Sequence, residues 1–227
     1  MIGRDVGEAR VEAGGVLFPP SRGASSRSKR FFDVLFSLGL IGLALPVFLI
    51  VPLMILLTDR APVLFRHERV GRDGRPFACL KFRTMRREAD EILARHLAEH
   101  PEALAEWLET RKLRDDPRIL GAVGRFLRRT SLDELPQVFN VLRGEMSVVG
   151  PRPVVREELI RYGVHAPLYL SVRPGLTGPW QVGGRSDTSY EQRVSLDADY
   201  VRSWSFAGDI RIVLRTARMM LSGRGAY

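Results

Sequence analysis

Residues 34–57 run for 24 positions without a charged side chain, and no other feature restricts the fold as severely. The core helix of a soluble protein is the plainer reading, but a run of this length favours a membrane segment. Pro46 divides it into two arms of about 12 residues, each about 18 Å long at helical rise. Neither arm reaches across a hydrocarbon layer of about 30 Å. Arg22, Arg27, Lys29 and Arg30 precede the run, and Arg60, Arg66, Arg69 and Arg72 follow it, so basic flanks pull both ends to the cytoplasmic side. A re-entrant helical hairpin that enters and leaves by one face satisfies length, proline and charge together.

The chemistry is concentrated downstream, in Leu127-Arg128-Arg129-Thr130-Ser131-Leu132-Asp133-Glu134-Leu135-Pro136-Gln137-Val138-Phe139-Asn140 and in Gly144-Glu145-Met146-Ser147-Val148-Val149-Gly150-Pro151-Arg152-Pro153. Ser131-x-x-Glu134 fits a capping box, in which serine and glutamate side chains satisfy reciprocal backbone N–H groups at a helix start. Pro136 is comfortable only in a first turn, so the helix can equally begin at Glu134 or Leu135. In either case Asp133 lies near the positive end of a helix dipole, with Arg128 and Arg129 close in sequence. Both effects favour the ionised carboxylate, and an ionised, positioned aspartate is a competent nucleophile toward phosphorus. Residues 146–149 read as a short strand ended by Gly150. The prolines beside Arg152 hold its backbone extended and present one guanidinium fork to a phosphate, although an isolated Pro-x-Pro is more often a plain turn.

The net charge of +9 suits an anionic partner. Nucleic acid, anionic lipid and a nucleotide diphosphate all fit charge alone. Only Lys29, Lys81 and Lys112 are lysines, so part of the bias follows from arginine usage. Cys79 is the single cysteine, which excludes a disulfide framework and a thiolate zinc cluster; its apolar neighbours make it a small buried residue. His67, His96, His100 and His165 are scattered, and His96 and His100 read as one solvated helix face. Gly71-Arg72-Asp73-Gly74 reads as a hairpin turn between strands near 62–70 and 76–83. Residues 86–100 and a segment restarted by Pro101 read as charged amphipathic helices. Residues 121–129 and 207–221 set apolar side chains against arginines, as helices on an anionic membrane do; ordinary core helices with solvated faces would look the same. Residues 1–28 read as a flexible tail without the layout of a signal peptide.

Several long motifs in fixed order carry a family resemblance: Lys29-Arg30-Phe31-Phe32-Asp33, Lys81-Phe82-Arg83-Thr84-Met85, Asp115-Asp116-Pro117-Arg118, the block from Ser131 to Pro153, Arg173-Pro174-Gly175-Leu176-Thr177-Gly178 and Tyr200-Val201-Arg202-Ser203-Trp204-Ser205. Over residues 29–227 the chain resembles the monotopic bacterial phosphoglycosyltransferases, or bacterial sugar transferases, and among them the galactosyl-phosphate transferases that initiate succinoglycan-type exopolysaccharide. Those also end in a Gly-x-Tyr, here Gly225-Ala226-Tyr227.

The resemblance implies transfer of a hexose 1-phosphate from a UDP-sugar to undecaprenyl phosphate at the cytoplasmic face of the bacterial inner membrane. Galactose is the expected sugar, with glucose or an N-acetylated sugar as alternatives. Asp133 is the implied nucleophile, forming an aspartyl phosphosugar and releasing UMP. Glu134 is expected to assist, by holding metal or by handling the acceptor's proton. Arg128 and Arg152 match arginines near the phosphates, Lys81, Arg83 and Asp209 are carried over as substrate-binding positions, and Asp133 with Glu134 are the candidate ligands for Mg²⁺. The chain departs from the family at Leu45-Pro46, where Ser-Pro is usual at the break in the membrane helix.

The expected organisation is a tail over 1–28, a re-entrant helix over 29–60 and a catalytic domain over 61–227. The fold class is a compact α/β (α+β) fold with short strands. The partners implied are the two substrates, membrane lipid and downstream glycosyltransferases of the same pathway, with a homodimer left open and no nucleic acid. Two rivals are a membrane-anchored basic scaffold protein, and a glycosyltransferase that moves the sugar alone and so releases UDP.

Overall fold

A computed structural model describes residues 22–110, 112–183 and 189–222; most of the expected tail and the Gly225-Ala226-Tyr227 terminus lie outside these. The apolar run forms two helices, α1 (Arg27–Leu43) and α2 (Leu45–Thr58), bent by 62° relative to each other. Pro46 sits in the first turn of α2. A proline there lacks the N–H that would bond the Gly42 carbonyl, and its ring would crowd that carbonyl if α1 continued, so one helix cannot run through. Ala44, which joins the two, offers no side-chain cap. No single helix among the described residues is long and apolar enough to cross a membrane.

Helix α1 is inside out. It buries Lys29, Asp33 and Ser37 against the rest of the chain and turns Phe31, Leu35, Leu38 and Leu43 outward, the last 83% exposed. The two inward charges are satisfied locally: Lys29 Nζ pairs with Asp33 (3.1 Å) and Asp209 (2.9 Å), while Asp33 also accepts the Ser147 hydroxyl and the Val148 N–H. Helix α2 also exposes leucines along its outer side, but Val51 and Ile55 are buried with Phe82, Leu120 and Leu127. Both helices therefore share cores with the remainder of the protein.

The strands are short. β1 (Leu64–Val70) and β2 (Pro76–Phe82) form an antiparallel hairpin, in register from Leu64 opposite Phe82 to Val70 opposite Pro76. They are joined through a turn in which Asp73 adopts a positive φ of 58°, in agreement with the strands and turn expected from the sequence. Two charged helices follow, α3 (Ala89–Glu99) and α4 (Pro101–Thr110). The chain continues into α5 (Gly121–Thr130), α6 (Gln137–Arg143) and β3 (Ser147–Val149). Beyond these lie α7 (Arg156–Ile160), α8 (Ala166–Ser171), β4 (Gly175–Thr177), α9 (Pro179–Gly183), α10 (Tyr190–Arg202) and α11 (Phe206–Ser222). The result is a helix-rich α/β fold with two small sheets.

β3 pairs in parallel with β4, and the chains approach so closely beyond it that glycine is required. A Cβ on Gly150 would lie 2.6 Å from the Arg173 carbonyl oxygen, and one on Gly175 would strike the Gly150 backbone. A central apolar cluster of Phe77, Cys79, Val141, Met146, Val148 and Val149 joins β2, α6 and β3, with Phe32 and Phe36 of α1 and Ile212 and Val213 of α11 packed on it. This cluster is the floor on which the polar residues discussed next are mounted.

Candidate active site

Helix α5 stops at Ser131, whose left-handed backbone (φ 56°) lets its N–H reach back to the Arg128 and Leu127 carbonyls. Residues Leu132–Glu134 then make one 3-10 turn, and α6 begins after Pro136. The expected capping box is not formed. Ser131 closes the preceding helix and gives no side-chain cap, and the Glu134 carboxylate is drawn to Lys81 instead, where a charge-assisted contact outcompetes a neutral backbone donor. Leu132 and Leu135 pack into the apolar cluster around Leu127 and Phe82, and anchoring these two leaves Asp133 and Glu134 to project from the protein side of the turn toward polar groups.

Lys81 Nζ lies 2.6 Å from Glu134 Oε1, with both side chains about a quarter to a third exposed. The two line a cleft with Arg69, Gln137, Arg152 and Gln181. Arg69 was not singled out by the motifs, although the hairpin register carries the signal: residues directly opposite share a face, and the pairs Arg69 with Phe77 and Phe65 with Lys81 lie on the same one. Burial lowers the Arg69 pKa, as does Arg152 nearby, while Glu158 opposes the shift. Burial, Arg69 and Lys81 all hold His67 below the usual imidazole range. The cleft is a cationic environment built around the Glu134 carboxylate.

Asp133 does not itself line the cleft but neighbours Glu134 in the turn; its carboxyl is pushed up to about 6, first by burial and further by Glu134, against the opposing pull of Lys81 and Arg128. The sequence had suggested that helix and arginines would favour ionisation outright; desolvation outweighs them. A group titrating near 6 is still about nine-tenths ionised at pH 7. Cys79, on the cleft floor, has its thiol raised to about 11 by burial, which fits a packing residue and not a nucleophile.

The remaining sequence-selected residues divide. Arg152 faces the cleft beyond β3, its guanidinium 5.2 Å from the Trp180 ring centroid. Arg193 approaches the same indole at 4.5 Å, and neither Trp180 nor Arg193 carries a local sequence signal. Arg128 is exposed on α5 and acts on Asp133 through its field. Arg83 and Asp209 do not line the cleft, contrary to their selection as phosphate-binding groups. Arg83 is buried and donates to the Asp59 carboxylate (2.9 Å) and carbonyl (3.1 Å), tying the end of α2 to the hairpin. Asp209 is wholly buried in α11 and binds Lys29, the Tyr200 hydroxyl (2.8 Å) and the Trp204 indole N–H (3.1 Å). Both pairings satisfy charges that the fold has removed from water: the two Asp209 oxygens are occupied, and both Arg83 terminal nitrogens are engaged by Asp59 while its Nε is buried without a partner. Pro46 serves the helix break described above.

No third His, Cys, Asp or Glu gathers with the carboxylates into a cation cage among the described residues. Asp133 and Glu134 are adjacent, and two carboxylates suit a hard cation that takes its other oxygens from water and a diphosphate.

Residues 24–223 match the family described as bacterial sugar transferase. The exopolysaccharide production protein ExoY of Sinorhizobium fredii is 49% identical over 201 residues, 88% of either chain. The UDP-galactose-lipid carrier transferase of Erwinia amylovora is 51% identical over 199 residues, and the undecaprenyl-phosphate galactose phosphotransferase of Salmonella typhimurium is 49% identical over 200. Each of these two is a longer protein, of which the match spans 41%, against 88% of this chain. The ordered motifs, the matched span and these identities make the chain a member of the bacterial sugar transferase family.

Proposed function

We propose that the chain is a transferase that moves a hexose 1-phosphate, galactose 1-phosphate in the first instance, from a UDP-sugar to undecaprenyl phosphate, initiating exopolysaccharide repeat-unit synthesis. Family membership supports the reaction class, and the names of two relatives point to galactose. The observation that carries the site reading is Glu134 paired with Lys81 in a cleft walled by Arg69 and Arg152, with Asp133 next to it in the turn and within the field of Lys81. A carboxylate attacking a diphosphate needs cations to gather the substrate's negative charge, and they are already in place.

In the first step an Asp133 oxygen attacks the sugar-bearing phosphorus of the UDP-sugar. The bond from that phosphorus to the bridging oxygen breaks, and UMP departs with the electron pair. In the second step a phosphate oxygen of undecaprenyl phosphate attacks the same phosphorus, the bond to Asp133 breaks, and the carboxylate is regenerated. Lys81, Arg69 and Arg152 hold phosphate oxygens through both steps, with Arg128 adding to the field. Glu134 either takes the acceptor's proton or helps to hold a divalent cation. Mg²⁺ bound by Asp133 and Glu134 would neutralise charge on the diphosphate. Arg83 and Asp209 act from a distance, by holding the scaffold.

The same reading places the protein on the cytoplasmic face of the inner membrane. The inside-out α1, the bend at Pro46 and the exposed leucines of α2 support a re-entrant anchor, since a helix that buries its ions and exposes its leucines is suited to lipid. Residues 29–60 are then the anchor and 61–227 the catalytic domain, with the arginine-bearing faces of α5 and α11 lying against anionic headgroups.

The test uses purified protein, a panel of radiolabelled UDP-hexoses and undecaprenyl phosphate. UMP is the expected co-product, and label is expected on protein before the lipid is added, in wild type and not in Asp133→Asn. Release of UDP, or equal labelling of Asp133→Asn, would refute the mechanism.

A further inference from the structure

Among the described residues, strand β2 is paired with another strand on one edge only, by β1. Its other edge is met by a side chain. Asn140, 0% exposed in α6, accepts the Leu80 N–H at Oδ1 (3.0 Å) and donates from Nδ2 to the Ala78 carbonyl (2.7 Å). One amide thus supplies the acceptor and donor that a residue of a third strand would have offered. The same Nδ2 donates to the Glu145 carboxylate (2.6 Å), and the Asn140 backbone carbonyl accepts from the N–H groups of Glu145 (3.0 Å) and Met146 (3.2 Å).

Three segments of the cleft therefore meet at one residue. Lys81 directly follows Leu80 on β2, the Asp133–Glu134 turn runs into the start of α6, and Met146 leads into β3, beyond which stands Arg152. An apolar side chain of similar size would leave the Leu80 N–H buried without a partner and take from the Ala78 carbonyl the donor it has here. Among the described residues no other hydrogen bond joins α6 to the β2 backbone on this edge.

We propose that Asn140 is a positioning residue of the reaction centre: its amide fixes the separation of β2 from α6, and through it the placement of Lys81 against Glu134 and Asp133. Its consequence for turnover rests on the reading of Asp133 as nucleophile. Its structural consequence does not, because the Asn140 amide binds the β2 backbone whatever the Asp133 carboxyl is for.

The experiment follows two quantities in full-length wild type, Asn140→Ser, Lys81→Gln and the double variant, with thermal melting to establish folding: hydrogen exchange of the Leu80 amide, and the rate of protein labelling from UDP-hexose. Loss of the Asn140 amide should speed Leu80 exchange about tenfold, since its acceptor is gone, while Lys81→Gln should leave that exchange unchanged. Labelling should slow about tenfold in Asn140→Ser, a loss of 1.4 kcal/mol in transition-state stabilisation. The double variant should label no more slowly than Lys81→Gln alone, because the Asn140 effect passes through Lys81. Unchanged Leu80 exchange or undiminished labelling in folded Asn140→Ser, or labelling losses that simply multiply in the double variant, would each overturn the proposal. If Asn140→Ser does not fold, Asn140→Gln, with its amide one methylene further out, carries the comparison, and wild-type exchange and labelling there are equally fatal. Wild-type protein that takes no label would refute the nucleophile, with Leu80 exchange still deciding the hold of the amide on β2.

Discussion

Asp209→Asn should weaken the fold of this protein and leave its chemistry untouched. The wild-type carboxylate is fully buried and holds Lys29 Nζ at 2.9 Å, the Tyr200 hydroxyl at 2.8 Å and the Trp204 indole N–H at 3.1 Å. An asparagine keeps the shape and one acceptor for Tyr200. The oxygen that received both Lys29 and Trp204 becomes an NH₂ group, so two buried donors face a third. Breaking one side of a buried ion pair costs about 3–5 kcal/mol. Lys29 retains Asp33 at 3.1 Å, which argues for the lower end, near 3 kcal/mol. That is a large share of the ~5–15 kcal/mol that holds a typical protein folded. For a chain of this size about 2–4 °C is lost per kcal/mol, so the melting temperature should fall by roughly 6–12 °C. Thermal unfolding in a fixed detergent or nanodisc, paired with transfer assays well below the lowered transition, measures both quantities. Turnover per folded molecule should remain within about threefold of wild type, by the usual indifference of chemistry to a distant stability loss. A melting temperature within about 2 °C of wild type, together with lost turnover in the cold, would show that Asp209 reaches the substrate and that this reasoning is wrong.

Three other outcomes follow. The kcat/KM of the labelling step should fall below pH 6, about tenfold per unit at the acid extreme, because Asp133 must be ionised and titrates at about 6; an acid limb centred near 4 would refute this. Because the folded pKa of Asp133 lies above its ordinary 3.8, its protonated form favours folding below about pH 4 and that contribution is gone above about 6. Asp133→Asn should accordingly raise stability by about 1–3 kcal/mol at pH 7 and by almost nothing at pH 4, and equal melting temperatures at pH 7 would exclude it. Pro46→Leu should let residues 34–57 run as one straight helix of about 36 Å and give mixed topology. Impermeant labelling of cysteines placed at Ser25 and Asp73, with Cys79→Ser, should find neither site exposed outside wild-type cells; reaction of Ser25 in wild type would show that the segment spans.

Local rules made much of this protein legible in its sequence. The hairpin of β1 and β2 follows from alternating apolar residues around a Gly-rich turn, and the break at Pro46 from a missing N–H and a ring that crowds the preceding turn. The short β3 ended by Gly150, the paired helices α3 and α4, and the buried Cys79 are similarly products of neighbours in the chain. The long motifs, together with these elements, were enough to name the family and to single out Asp133, Glu134, Lys81 and Arg152. Ser131 shows where local reading fails: its spacing to Glu134 is that of a capping box, but Lys81, 53 positions upstream in the chain, claims the glutamate.

What only the tertiary structure decided is the environment of each charge. A sequence lists Lys29, Asp33, Arg83 and Asp209 as polar residues; whether each faces ligand or core depends on which helix packs over it. Long-range packing put Lys29, Asp33 and Asp209 into one buried network and gave Arg83 to Asp59. It brought Arg69 into the cleft from β1 and Trp180 beneath Arg152 from α9, and it made Asn140 the missing edge of β2. The pKa of Asp133 is decided in the same way. The helix start and the arginines near it in sequence argue for easy ionisation, but desolvation is a property of everything packed around a group, and no stretch of sequence contains it.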